Sequence, residues 1–283
     1  MDHIDEFESI FRRAHKAKFE YRPPKWDRVA IVMDFDAPQM EELKREVLHF
    51  MPMLSQSQEI QLIGGNDFQN VVDLLDRLRS KPVDLVVSYR HLKEREHIPQ
   101  HSLGVYVDVL TQAISAPVLL LPGTAAKPIS LAEMTCDDVL VVTEHISGEH
   151  RLVNYGAACT PPGGQLLLVH IEDDIIYERY MHAIEQIPEI DTSVAREAIS
   201  KQLLKEADEY QKSCEEELKN AREHLMVYSI ARRGHRLRDF QTLIDEQDVD
   251  LLVMSTKDEE QLAMHGLAYS LSVEFKELPL LLV

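Results

Sequence analysis

The sequence predicts an α/β protein made of two tandem doubly wound domains with parallel sheets, the first of them shortened. Three observations lead there. Short runs such as "RVAIVMDF", "VDLVVSY" and "PVLLLP" are apolar throughout and alternate with segments of helical spacing. Strands without polar alternation are those buried on both faces, as in a parallel sheet covered by helices. The same grammar then runs a second time, and the two endings align: "KPVDLVVSYR" matches "QDVDLLVMST", and Gly104 stands as far before Pro117 as Gly266 stands before Pro279.

The elements follow in order. Ile4 to Lys18 puts Ile4, Phe7, Phe11 and Ala14 on one helical face, with acids first and bases later, the order that suits the helix dipole. "YRPPKW" stops that helix, because consecutive prolines fix an extended chain. Residues 1–24 are therefore an amphipathic helix and a connector, and residues 25–123 the first domain. In it "RVAIVMDF", "EIQLIGG", "VDLVVSY" and "PVLLLP" are strands, separated by helices over "PQMEELKREVLHFMPML", "DFQNVVDLLDRLRS" and Val105 to Ile114. Residues 124–135, within "GTAAKPISLAEMT", read as a linker.

The second domain, residues 136–283, repeats the pattern with "DDVLVVTEH", the helix "GEHRLVNYGAAC" and the strand "LLLVHI". A long helical region runs from about Thr192 to His224, capped by Thr192 or Ser193. Val194, Ala198, Leu203, Ala207, Tyr210, Cys214 and Leu218 form its apolar stripe, which reads as core. "LMVYSIA", the helix "LRDFQTLIDEQ", a strand at "VDLLVMST" and the closing "PLLLV" complete the domain. Between its first strand and the glycine turn at Gly64 to Asn66, the first half has room for one helix and one strand. The second half holds an extra strand and a long helix before Gly234, so the first half lacks a strand–helix unit.

Charge and composition narrow the function. The 49 acidic against 30 basic residues give a net charge of −19, which repels phosphate backbones and anionic lipid and argues against nucleic acid or membrane partners. Cys136, Cys159 and Cys214 are scattered and form no CxxC pair, as expected of structural thiols in a reducing compartment. "MDHIDEFESIF" is acidic where a signal peptide is basic, and no apolar run approaches the roughly 18 residues of a membrane span; the expected location is cytoplasmic.

The repeat resembles the universal stress protein family in its tandem form, over about Lys25 to Gly123 and Cys136 to Val283. The likeness rests on the opening strands, the glycine-led turns at Gly65 and Gly234, the "VDL" strands and the "PVLLL" and "PLLLV" endings. It implies an adenine nucleotide alpha hydrolase-like fold whose closing strand pairs across a dimer, a pairing that a tandem chain can satisfy internally. It also implies a nucleotide site: an aspartate ending the first strand, then a GxxG, nine residues and Gly-Ser or Gly-Thr around the phosphates, where glycines admit backbone N–H groups and a helix N-terminus supplies positive charge.

Asp34 matches that aspartate in the first half, and Thr143 replaces it in the second. Gly104 and Gly266 match the last glycine. Ser88 and Ser255 stand in place of the first glycine, and Val105 and Leu267 in place of the hydroxyl residue. The second loop carries Asp258, Glu259 and Glu260, each opposing a phosphate by roughly 1 kcal/mol at 4 Å in water. The first keeps Asp34 and adds Arg90, Lys93 and Arg95, so Asp34, Arg90 and Gly104 are the candidate nucleotide-binding residues.

Other chemistry is sparse. His91, Glu94, Glu96, His97 and His101 mix metal-ligand types without the spacing of a closed site. His170 beside Glu172, Asp173 and Asp174 reads as a hydrogen-bonded strand-end histidine. There is no GxSxG elbow, HExxH helix, P-loop or GxGxxG, and no nucleophile with a base, so no catalytic residue and no metal site is assigned. The expectation is a stress-response regulator or adaptor that contacts other proteins, a second copy of itself among them, with no enzyme activity and no cofactor. The alternative is an ATP or AMP sensor using the first domain.

Overall fold

The structure, a computed structural model, describes residues 18–94, 101–143, 146–256 and 266–283. The first half runs β1 (Arg28–Val32), α1 (Ala37–Phe50), a 3-10 turn (Pro52–Gln56), β2 (Glu59–Ile63), α2 (Val71–Ser80), β3 (Leu85–Arg90), α3 (Val105–Ala113) and β4 (Val118–Thr124). Asp36 opens α1 with a reciprocal cap: its side chain accepts from Gln39 N–H while the Gln39 side chain accepts from Asp36 N–H. The expected linker is in part structured. It holds the two-residue strand β5 (Lys127–Pro128), which turns back on β4, and the buried Leu131, whose N–H bonds Glu46 at 2.7 Å.

The second half runs β6 (Asp138–Thr143), α4 (His150–Cys159), β7 (Gln165–Asp173), α5 (Asp174–Ile184), α6 (Thr192–Ala221), β8 (Met226–Gly234), α7 (Arg236–Glu246), β9 (Leu251–Met254), α8 (Gly266–Glu274) and β10 (Leu280–Leu282). The cap of α6 is Asp191, not Thr192 or Ser193: its carboxylate accepts from Ser193 and Val194 N–H. The helix α5 goes beyond the elements that the sequence pattern predicts. Asp173 starts it in the same way, accepting from Ile175 and Ile176 N–H.

The two halves share one sheet, in the order β2-β1-β3-β4-β10-β9-β6-β7-β8. Every neighbouring pair along it is parallel except β4 and β10, which pair antiparallel with Leu119 opposite Leu281. One antiparallel pairing within a single chain thus joins the two halves. β8, at the edge of the second half, has no counterpart among the described residues of the first, where β2 is already the edge; this is the missing unit.

Helices cover both faces, and each face has a core that runs through both halves. On one, α1, α4 and α6 pack Met40, Phe50, Leu152 and Tyr210 on Val29, Val87, Val141 and Leu281. On the other, α2, α3, α7 and α8 pack Leu74, Leu110, Phe240 and Leu271 on Ala30, Val86, Leu140 and Leu280. Arg90 locks the halves together. Its guanidinium is buried and donates to the carbonyls of Ser272 at 3.1 Å, Phe275 at 2.9 Å and Leu121 at 3.2 Å, placing a cation at the C-terminus of α8 where the helix dipole favours one.

The expected N-terminal helix falls on residues outside those described, except for Lys18, which is not helical. The connector behind it is extended and crosses to the second half. Phe19 is buried against His150 and Tyr210, with its N–H on Ser213 Oγ; Arg22 N–H bonds Asn154 Oδ1 at 2.7 Å; Trp26 meets Tyr155 edge to face. The segment straps α4 and α6 instead of capping the domain it precedes.

Candidate functional site

In a doubly wound sheet the ligand crevice opens at the C-terminal ends of the strands where the chain reverses its direction of travel. In the first half that point lies between β1 and β3, since β2 was laid down on the far side of β1. Two of the three candidate residues, Asp34 and Gly104, border it. Asp34 follows β1 and is half-buried, with Gly65 so close that a Cβ there would lie 3.1 Å from the Asp34 backbone. Gly104 caps α3 at φ 91° and ψ 151°, a backbone conformation open almost only to glycine. A side chain there would meet the His91 Cα at 2.8 Å.

The phosphate end of the crevice is filled by the protein. Glu94 reaches the N-terminus of α3, where one carboxylate oxygen accepts from Val105 N–H at 2.7 Å and the other lies 2.9 Å from His91 Nδ1. His91 and Lys93 are held at positive φ, which folds the loop back so that Glu94 arrives at the helix end. An N-terminus that attracts anions therefore has one built in. Asp108 adds to the negative field; burial first, and Glu94 second, push its carboxyl above the usual range. Burial and then Glu94 and Asp34 raise the Tyr106 phenol as well.

The described cations of the loop turn elsewhere. Arg90, expected to face a phosphate, is spent on the α8 carbonyls. Lys93 Nζ donates to the carbonyls of Gly65, at 2.9 Å, and Phe68, and lies 4.1 Å over the Phe68 ring. Of the three candidates only Asp34 and Gly104 stay at the crevice. Sequence reasoning misses Glu94 as the occupant of the helix end, and the signal is available: it is an acid in the very loop where the basic residues draw attention.

In the second half Thr143 ends β6, buried, in register with His170 on β7. His170 lies inside that strand, not at its end, with Nε2 3.6 Å from a Glu172 oxygen. Gly266 opens α8, whereas Asp258, Glu259 and Glu260 lie outside the described residues, as do Arg95, Glu96 and His97. Among the described residues no group of His, Cys, Asp and Glu is placed to hold a metal ion, and no helix is long and apolar enough to cross a membrane.

A second region stands out on the far side of the molecule. Only the C-terminal half of α6 is core: Ala207, Tyr210, Cys214 and Leu218 are buried, while Val194 is 63% and Leu203 37% exposed. The expected stripe is half right. The N-terminal half leans on α5, where Tyr177 Oη donates to the Arg196 carbonyl at 2.7 Å and Arg196 bridges Glu178 and Glu185 at 2.9 Å. This arm presents Ile175, at 66% exposure, Tyr180, at 62%, and Ile187 and Ile190 to solvent.

No family model matches the chain, and no curated protein does. Solved structures do resemble it. A universal stress protein from Archaeoglobus fulgidus DSM 4304 is 12% identical with a TM-score of 0.46, over 90% of this chain and 87% of that one. A protein of unknown function from Pseudomonas aeruginosa PAO1 is 12% identical with a TM-score of 0.47, over 91% and 92%. The universal stress protein UspA from Lactobacillus plantarum is 13% identical with a TM-score of 0.35, over 52% of this chain and 97% of its own. Some of these likenesses span nearly the whole chain and others about half of it, and two of the three, those from Archaeoglobus fulgidus and Lactobacillus plantarum, are universal stress proteins.

Proposed function

We propose that the chain is a stress-response regulator or adaptor that works by binding other proteins, without ATP and without turnover. The observation that carries this reading is Glu94: its carboxylate takes the helix-end N–H group and the position that a phosphate needs, while Arg90 and Lys93 are committed to carbonyls. A triphosphate that displaced Glu94 would deprive the buried His91 of its partner and bring new negative charge beside Asp34 and Asp108. The α5–α6 arm supplies the binding surface. Ile175, Tyr180, Ile187, Ile190 and Val194 are exposed along this helix pair, and clustered exposed apolar side chains are a docking feature more than a solvation feature. The buried free thiols of Cys136, Cys159 and Cys214 suit a reducing compartment, and the cytoplasm is the location we assign.

Calorimetry of the full chain with magnesium and ATP, ADP or AMP tests the first part. No heat is expected. Binding tighter than roughly 100 μM, about −5.5 kcal/mol, that is lost in Asp34→Ala would establish the sensor in its place. For the second part, the tagged chain is compared with a Tyr180→Asp, Val194→Asp variant in co-purification; equal recovery of the same proteins by both would remove the arm from the interaction.

A further inference from the structure

The crevice at the β1–β3 switch has two sides, and only the α3 side is closed by Glu94. On the α1 side a cleft of about 320 Å³ remains, between α1 and the β4–β5 turn. That volume lies at the lower end of the range for small-molecule pockets, roughly 300 to 1,000 Å³. Its inner wall is a pair of aromatic rings, Phe35 and Tyr89, with centroids 6.0 Å apart and planes tilted by 51°. Its α1 wall carries Gln39, Glu42 and Glu46, and Ser130 stands opposite. Among the described residues no lysine or arginine lines it.

We propose that this cleft binds a small organic ammonium ion, with the apolar body against Phe35 and Tyr89 and the charged nitrogen between Glu42 and Glu46. The spacing of the two carboxylates is the first argument. Four residues apart on α1, they stand one turn above the other on a single face, and neither forms an ion pair among the described residues. Like charges so placed repel one another, and a cation between them removes that repulsion.

The aromatic wall is the second argument. Ring faces attract ammonium groups, and more strongly where water is excluded, as it is around the buried Tyr89. Glu46 and Tyr89 line the same cleft, and burial and then Glu46 raise the Tyr89 phenol. Glu46 is also pre-positioned: it accepts the Leu131 N–H at 2.7 Å, so one oxygen is fixed and the group needs little ordering on binding.

A bare metal ion fits less well. Two monodentate carboxylates and a glutamine leave most of a calcium shell to water, and the aromatic wall would contribute nothing to it. An anion meets Glu42, Glu46 and a chain of net charge −19. The charge preference of the crevice is thus the inverse of a nucleotide site. This inference does not depend on the adaptor reading, since the cleft and the α5–α6 arm share no residue.

The test uses the full chain and two probes of one shape and opposite charge, 2-phenylethylammonium and 3-phenylpropionate, titrated at pH 7 by NMR or calorimetry. The ammonium probe is expected to bind with a Kd below about 1 mM, and the carboxylate at least tenfold more weakly. Glu42→Gln combined with Glu46→Gln should weaken the ammonium at least tenfold, while the amide oxygen introduced by the second substitution keeps the bond from Leu131 N–H. Glu41→Gln, one position along and outside the cleft, should leave it unchanged. Thermal unfolding confirms that each variant is folded. Equal affinity for both probes, no binding of the ammonium at about 10 mM, or undiminished binding in the double variant would each overturn the proposal.

Discussion

Arg90, the last residue of β3, donates from its guanidinium to the Phe275 carbonyl at 2.9 Å, across 185 positions of sequence and from one half of the chain to the other. Burial lowers its pKa to about 10, so it stays charged through the neutral range. Arg90→Met leaves the Ser272 and Phe275 carbonyls without donors in a closed interface and is expected to cost about 3 kcal/mol in urea unfolding. Arg90→Lys restores the charge without the planar fork and should recover only part of that loss.

The N-terminal strap makes a prediction about truncation. Removing residues 1–17 leaves Phe19 in place and should scarcely move the unfolding midpoint, whereas removal up to Pro24 uncovers His150 and Tyr210. Phe19→Ala alone should cost about 3–5 kcal/mol, as for a buried aromatic in a core. Thermal scans of the three proteins distinguish a docked strap from a loose tail, and only the shorter deletion is a clean test of whether the first residues recruit a partner.

Gly104→Ala forces a side chain into a glycine-only conformation with 2.8 Å to the His91 Cα. A loss of about 1–3 kcal/mol is expected. The NMR signals of His91 and Val105 should shift with it, because the new methyl pushes on the loop that delivers Glu94.

All three thiols are buried and free, and burial pushes each upward, Cys214 to about 12. Thiolates are the reactive form. Dithionitrobenzoate is expected to label none of them in the folded chain over hours at pH 8 and all three in denaturant; fast labelling of one would place it at the surface.

A carboxylate group at the start of β6 gives a pH signature. Burial first, then Asp250, Asp137 and Asp248, raise the Asp138 carboxyl above its usual value, 3.8. An acid with a raised folded pKa makes the folded chain bind protons more readily than the unfolded one, so this group's cost is absent below about pH 3.8 and fully present above the raised value. Asp138→Asn should therefore raise the unfolding temperature at pH 7, and the gain should vanish as the pH falls toward that of the unfolded carboxylate. Asp250, which accepts from Asp137 and Asp138 N–H at 2.8 and 3.0 Å, has to be left intact.

The same residues mark where sequence reading ends. The parallel strands are readable because burial on both faces removes polar alternation, and the absent unit because Gly64 and Gly65 come too soon. The cap of α6 falls one residue before the expected pair, since Asp191, Thr192 and Ser193 all carry capping groups and only backbone geometry selects one. α5 escapes the pattern because Ile175, Ile176 and Tyr180 stay exposed and leave no clean stripe. Arg90 points to the crevice on charge alone. A side chain at the end of a central strand has two directions open to it, and the carbonyls of Ser272 and Phe275 that decide the matter belong to the other half of the chain.

The antiparallel junction between β4 and β10 has a consequence for synthesis. β4 is complete at Thr124, yet the strand that covers its flank begins at Leu280. Throughout the intervening translation the first half presents an open, fully apolar edge, Val118 to Leu121, the kind of surface to which stray strands add. Arg90 likewise waits for α8 before its guanidinium finds its acceptors. The nascent chain is thus a sheet with a missing middle, and the step that makes it safe from aggregation is the arrival of its most distant strand.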